Sequence, residues 1–223
     1  AIRECGFENV CIATGATWRA DGVSRQHVVP FPMDPGMPIL TPDDIMDGTR
    51  PSGRVVIYDD DHYYMGGVLA ELLRQEGCEV TIVTPSAYLS DWTVNTLEQH
   101  TIHRRLAGMG VEIVLNRGVT EIGAGHVVSN CTYTDQTRRI DCDAVAVVAS
   151  RSENNAIFHD LKAREADWAD AGIRSVRLVG DAEAPGPIAW ATYAGHRYAR
   201  ELDMPEIGDA LPFRREITDL TLE

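Results

Sequence analysis

The run from residue 54 to residue 83 decides what this chain can become. RVVIY at 54–58 is a β-branched, strand-forming segment. Residues 66–76 place Val68, Leu69, Leu72 and Leu73 at helical spacing, Gly77 supplies a helix stop, and 79–83 is apolar and β-branched again. A strand, a helix and a second strand in this order make a crossover between parallel strands, and parallel sheets need helices or other layers on both faces. The expected fold class is therefore α/β. More finely, we expect a Rossmann-like three-layer domain of FAD/NAD(P)-binding type with an antiparallel β-meander, inserted in part of a second nucleotide-binding domain.

The flanking segments give the insertion its outline. VCIA at 10–13 is a short strand ended by Thr14-Gly15. A Pro- and Gly-rich loop follows over 21–40, then a short helix starts at Thr41-Pro42-Asp43-Asp44, with an N-cap Thr, Pro at the first helical position and acids on the positive end of the dipole. A second helix is expected over 96–109 and a strand over 111–115. The stretch 119–149 alternates with turn residues at 123–125 and 134–137, as an antiparallel meander does, with 143–149 as its last apolar strand. Residues 157–171 read as a helix, 176–179 as a strand ended by Gly180-Asp181, and 187–202 as a helix opened by Pro187; the tail after Met204 reads as irregular. The expected division is 1–50 as part of an adenine-nucleotide (FAD/ADP-like) domain, 51–150 as a small NAD(P)H-like domain, and 151–223 as the return segment that completes the first. The chain opens AIRECGFENV, without Met and almost directly on a strand, which suggests a piece of something longer.

Charge and cysteines exclude several functions. With 34 acidic against 20 basic residues the net charge is −14, and phosphate-rich partners need Lys and Arg, so neither nucleic acid nor an anionic membrane is an expected partner. No apolar run approaches the roughly 20 residues of a membrane helix, and no signal peptide is visible. The 5 cysteines include no Cys-x-x-Cys pair. They read as free thiols in a reducing cytoplasm rather than as an iron–sulfur or zinc ligand set, with Cys11 and Cys142 expected in the core.

A dinucleotide fingerprint belongs at the end of the strand at 54–58, and it is missing. In G-x-G-x-x-G the glycines let backbone approach a pyrophosphate at a helix N-terminus. On that template the three glycine positions fall on Asp59, Asp61 and Tyr64, with Asp60 between them, and Gly66 and Gly67 come a turn too late. His62 and Tyr63 complete this degenerate loop. After the second strand, where an acid for the ribose or an Arg for a 2′-phosphate is usual, stands Thr84-Pro85. Carboxylates placed against a phosphate repel it, so no NAD(P) binding of the usual kind is expected. Asp59, Asp60, Asp61 and His62 are also hard-cation ligands by type, but neighbouring residues of an extended loop point different ways, and no metal site is assigned. His100 and His103 beside Arg104 and Arg105 read as a solvated helix face, and Ser86, Ser90 and Asp91 make no nucleophile elbow. Tyr63 and Tyr64 suit either stacking on an adenine or covering a neighbouring element.

The blocks VVIYDDDHYYMGGVLAELLRQEGCEVTIVTP (55–85), FENVCIATGATWRADG (7–22) and LVGDAEAPGPIAWATYAGHRYARELD (178–203) resemble, in order and spacing, the C-terminal region of the trimethylamine, dimethylamine and histamine dehydrogenases, and together they cover most of the chain. The DDDHYYMGG loop looks most like that of the histamine dehydrogenase branch. The resemblance implies kinship with the old yellow enzyme and 2,4-dienoyl-CoA reductase relatives. It implies a parent with an N-terminal TIM barrel holding covalent FMN and a 4Fe-4S cluster, an ADP site in the FAD-like domain, an NAD(P)H-like domain without its cofactor, an electron-transferring flavoprotein as partner, and a homodimer. No flavin-linking Cys, cluster cysteines or catalytic residues of that pattern stand in this chain. What matches is the ATG motif at Ala13, Thr14 and Gly15, and the GD motif at Gly180 and Asp181 with the helix start at Pro187 and Ile188, where the family meets its adenine nucleotide. No cofactor is expected on this chain alone. Two other readings stay open: a portion of an NAD(P)H-dependent flavin oxidoreductase of the dienoyl-CoA reductase type, and a free-standing Rossmann-like binding module.

Overall fold

A computed structural model of the protein describes residues 2–202 and Met204. In chain order its elements are β1 (Asn9–Ile12), β2 (Ala16–Trp18), β3 (Ile39–Leu40), α1 (Pro42–Met46), β4 (Arg54–Asp59), α2 (Met65–Gln75), β5 (Glu79–Val83), α3 (Gln99–Gly108), β6 (Glu112–Val114), β7 (Arg117–Gly123), β8 (His126–Cys131), β9 (Thr137–Asp141), β10 (Ala144–Val148), β11 (Arg151–Glu153), α4 (Ala156–Lys162), β12 (Ser175–Leu178) and α5 (Ile188–Glu201). The chain divides into a central unit, Thr17–Ser152, and an outer unit made of the described residues up to Ala16 and from Glu153 onward. The irregular tail expected after Met204 lies outside the described residues.

The central unit is built on a five-stranded parallel sheet in the order β3-β10-β4-β5-β6. β10 is apolar throughout and β4 is apolar from Val55 to Tyr58, and these residues are buried on both faces, as the inner strands of a parallel sheet must be. Alternate side chains serve two cores. Val55, Ile57, Val80, Ile82, Ala144, Ala146 and Val148 meet Leu69, Leu73 and Leu106 of α2 and α3. Val56, Tyr58, Val83, Val145 and Val147 meet Val119, Ile122, Val127 and Ile140 from the antiparallel sheet β7-β8-β9. Helices thus cover one face and the antiparallel sheet covers the other. α1 carries the expected cap: the Thr41 hydroxyl accepts from Asp44 N–H, the Asp44 carboxylate accepts from Thr41 N–H, and Pro42 opens the helix.

Three boundaries differ from the sequence reading. Residues 17–50 pack with the central unit, because β3 pairs with β10 (Ile39 beside Val145) and Phe31, Met37 and Ile45 enter its cores. The segment 143–149 is not a meander strand: its five apolar residues would leave one face wet at the edge of a meander, and β10 instead lies between β3 and β4. The helix expected over 157–171 ends at Lys162; Trp168 turns back so that its indole N–H donates to the Leu161 carbonyl at 2.9 Å, and it is buried there.

In the outer unit β1 and β12 pair in parallel, Ile12 beside Leu178. Ile12, Leu161, Trp168, Ile173 and Val176 form its small core. Cys11, expected inside, is exposed, because a two-stranded sheet offers neighbours on one face only. α5 presents Ile188, Trp190 and Tyr193 outward, each at least 60% exposed.

The fold rests on the dry central strands. Ile57 is fully buried between helices and sheet. Ile57→Ala is expected to lower unfolding stability by about 2–5 kcal/mol in a urea titration, through lost contacts and the cavity left behind.

Candidate functional site

The first candidate group follows β4. The strand order turns about β4, with β10 on one side and β5 on the other, and crevices at such points outside the carboxyl ends of strands are where open α/β sheets take ligands. The chain leaving β4 does not reach outward. Asp60 N–H and Asp61 N–H both donate to the Val148 carbonyl, at 2.9 and 3.1 Å, and His62 N–H donates to Asp59 Oδ1 at 3.0 Å. His62 itself is held in the left-handed region at φ 63°, a conformation that costs a non-glycine residue energy and persists only where its surroundings fix it. They do: His62 Nε2 lies 2.9 Å from Asp60 Oδ1, Nδ1 lies 3.3 Å from the Thr84 hydroxyl, and the His62 carbonyl accepts from Trp92 N–H at 3.0 Å.

The acids are equally internal. Asp59 and Asp60 are 0% and 1% exposed. Asp60 Oδ2 accepts from Gln26 N–H at 2.8 Å. Burial alone would raise the Asp60 carboxyl, but the hydrogen bonds from His62, Ser24 and Gln26 together hold it below the ordinary carboxylate range. Asp59 has fewer partners: its Oδ2 is buried with none. Burial, reinforced by the charges of Asp61 and Asp60 and only partly offset by His62, pushes Asp59 up to about 7. Burial also raises Asp61, against the pull of Arg151 and Arg25.

Gly66 explains how the loop fits. A Cβ there would lie 2.6 Å from Asp59 Oδ2. The third glycine of a dinucleotide fingerprint serves close packing of helix on strand. Gly66 does that work here, two residues beyond the template position at Tyr64. Tyr64 sends its hydroxyl to Thr96 and Glu98 just ahead of α3, and the Tyr63 ring packs edge-on against the Tyr64 ring with centroids 4.4 Å apart. Among the described residues no group of three or more His, Cys, Asp or Glu is placed to hold a metal ion. His100 is exposed, and the Ser86 hydroxyl donates to Asp91 at 2.7 Å. Gln26, Ser24 and Trp92 are members of this constellation that the sequence does not show, and Thr84, noted only where a ribose acid would stand, joins it through His62. Their contributions are mostly backbone groups or come from distant loops, and leave no local pattern.

The second candidate group lies in the outer unit. Because β1 and β12 are parallel and in register, Ala13-Thr14-Gly15 and Gly180-Asp181 leave the same edge of their sheet. Gly15 and Gly180 take φ of 75° and 62°, where a side chain would be strained. Asn154 ties the first turn: its N–H donates to the Gly15 carbonyl at 2.9 Å, and the Thr14 hydroxyl donates to its carbonyl. Asp181 Oδ1 accepts from Gly186 N–H at 3.1 Å, just ahead of Pro187 and the α5 start at Ile188. A Cβ on Gly180 would sit 3.5 Å from that of Ala191, so α5 passes close over the turn. The structure thus brings the ATG and GD motifs and the α5 N-terminus together within this unit.

Residues 40–162 match the family model described as the OYE-like second alpha/beta domain. The chain belongs to that family. Within it, the chain is 32% identical to dimethylamine dehydrogenase of Hyphomicrobium sp. (strain x) over 238 residues, 96% of this chain and 32% of that protein. Histamine dehydrogenase from Rhizobium sp. 4-9 is 62% identical, with a TM-score of 0.92 over 98% of this chain and 34% of that one. The 6-hydroxypseudooxynicotine amine oxidase from Pseudomonas geniculata N1 is 37% identical, with a TM-score of 0.77 over 86% of this chain and 29% of that one. This OYE-like domain chain therefore spans about a third of the length of the relatives it matches. Among its described residues no helix is long and apolar enough to cross a membrane.

The proton on Asp59 should be visible in stability. An unfolded Asp titrates near 3.9, well below the folded value of about 7. The folded state therefore binds the extra proton between those values, and stability falls as pH rises through the window and levels off above it. Asp59→Asn cannot ionise. Its melting temperature relative to the unaltered protein is expected to rise from pH 5 to pH 8; a difference independent of pH would contradict the buried, proton-binding carboxyl.

Proposed function

We propose that this chain is the C-terminal, nucleotide-binding-type portion of an FMN and iron–sulfur amine dehydrogenase, an oxidoreductase acting on the C–N bond of an amine, and that it is not catalytic alone. The 62% identity to histamine dehydrogenase across nearly the whole chain carries this reading. Histamine is accordingly the first substrate to test. In this reading the amine site, covalent FMN and 4Fe-4S cluster reside in an N-terminal TIM barrel outside the chain. The reduced parent, a cytoplasmic homodimer, passes electrons to an electron-transferring flavoprotein.

The residues of this chain do not fit the cluster: Cys78 and Cys142 are buried and Cys5, Cys11 and Cys131 are scattered on other elements, so no electron-transfer step is derived from them. They fit one side of an ADP site. Gly15 and Gly180 would let backbone approach the nucleotide, and the first turn of α5, after Pro187 and Ile188, offers N–H groups to its phosphates. Asp181 orders the approach to that turn through Gly186. ADP has no redox chemistry, and when bound it would brace the unit. In this reading both the glycine-rich half of the site and the layer over α5 and Cys11 come from the preceding part of the parent. The central unit is a Rossmann-like NAD(P)H domain that has lost its cofactor.

The test uses the full-length parent under anaerobic conditions. Histamine or dimethylamine is expected to bleach the flavin absorbance and NADPH is not; reduction by NADPH with no response to any amine would assign the parent to the dienoyl-CoA reductase type. The chain alone is expected to bind ADP weakly or not at all in a calorimetric titration, and submicromolar affinity would refute the half-site.

A further inference from the structure

We infer that the loop joining β4 to α2 is itself the occupant of the central unit's dinucleotide crevice, so that NAD(P)H is kept out by the filling of the crevice with the protein's own backbone and side chains rather than by negative charge. This rests on reading the unit as a dinucleotide-binding type of domain.

A crevice of this kind holds a pyrophosphate by backbone N–H groups of the loop and by the closeness that glycines allow. Both resources are spent here. The three consecutive N–H groups of Asp60, Asp61 and His62 are all engaged, two by the Val148 carbonyl and one by Asp59. The closeness provided by Gly66 is taken by the Asp59 carboxyl, whose Oδ2 lies 2.6 Å from where a Cβ would be. The loop makes a left-handed turn at His62. The side chain of His62 is anchored to Asp60 and Thr84, and its carbonyl is anchored to Trp92. Trp92 opens from the β5–α3 connection, the region where the second half of a dinucleotide would lie, and stacks with Arg25, whose guanidinium carbon is 5.5 Å from the ring centroid. Loop, connection and the 21–37 segment, through Ser24 and Gln26, close on one another.

Charge alone is a weaker account, since two of the three carboxyl groups face inward. Asp60 is satisfied by protein donors, and neither Asp59 nor Asp60 meets solvent. Neutralising them leaves the same volume filled and the same N–H groups engaged.

Two variants of the full chain separate the explanations, with NADPH as the probe in a fluorescence titration. The first is Asp59→Asn/Asp60→Asn/Asp61→Asn, which removes charge and keeps shape. The second replaces the seven residues 59–65 by the five-residue run Gly-Asp-Gly-Tyr-Met, so that Gly66 ends a G-x-G-x-x-G. The unaltered chain and the triple Asn variant are expected not to saturate, and the shortened loop is expected to bind at least about tenfold tighter than either. Binding by the triple Asn variant as tight as by the shortened loop would overturn the inference in favour of charge. A shortened variant that folds and still ignores NADPH would overturn it too. Should the shortened chain not fold, hydrogen exchange on the unaltered chain decides. The amides of Asp60, Asp61, His62 and Trp92 are expected to be protected at least about 100-fold over an open chain, and exchange at open-loop rates would refute a closed crevice. Flavin reduction by amines in the parent is a separate readout, so failure here leaves the proposed function standing.

Discussion

β4 and β10 are dry on both faces, and every polar group at their carboxyl ends must therefore find a partner inside the protein. This constraint organises the rest of the central unit. The Val148 carbonyl at the end of β10 would be orphaned by a loop that turned outward; it takes two N–H donors from the chain leaving β4 instead. That choice draws Asp59 and Asp60 under the protein surface. Once there, Asp60 needs donors and acquires them from His62, Ser24 and Gln26. His62 must adopt a left-handed backbone to reach Asp60 and Thr84 together. Strain at His62 and the unpartnered Oδ2 of Asp59 are local costs, tolerated because the strands on which the loop stands are deeply packed.

The outer unit has the opposite problem. Its two strands and small core leave Cys11 and the apolar side chains of α5 in water. Parallel strands are seldom stable as an isolated pair, since their faces are ordinarily covered on both sides. Among the described residues the central unit has a five-stranded parallel sheet, while the outer unit has the β1–β12 pair, which ends in two turns with left-handed glycines. The relatives are about three times as long, which gives the proposed parent ample chain to complete that sheet.

Periodicity made much of the central unit legible. The alternation of Val55, Val56, Ile57 and Tyr58, the helical spacing of Leu69 and Leu73, and the cap at Thr41 and Asp44 each correspond to an observed contact. What could not be read depends on distance along the chain. β3 is two residues long and acquires its place from pairing with β10, more than a hundred positions away, so the Pro- and Gly-rich segment around it reads as a loop in the sequence. β10 resembled another meander strand because a run of five apolar residues does not reveal how many neighbours it has. In the candidate site the residue types of the β4–α2 loop were visible, but their direction was not. The template puts a glycine position on Tyr64, whereas the close approach of helix to strand is at Gly66. Gln26 enters through its backbone N–H and Trp92 likewise, and backbone donors carry no signature in sequence.

The direction of those side chains also changes what the negative charge means. A chain with a net charge of −14 invites the view that acids next to a phosphate site act by repulsion. Repulsion needs ionised groups facing the ligand. Asp60 is turned inward against His62 and Gln26, which hold it below the ordinary carboxylate range, and Asp59 is buried with its carboxyl pushed up to about 7, so neither carboxyl faces solvent. Exposed acids elsewhere pair with arginines, as Glu112 on β6 does with Arg138 and Asp141 on β9 with Arg139; such exposed pairs add little to stability. An aspartate run at a strand end is thus better understood by the donors available beneath it than by its formal charge: where buried N–H groups and a histidine await, the carboxylates become part of the core, and the space they enter is the space a ligand loses.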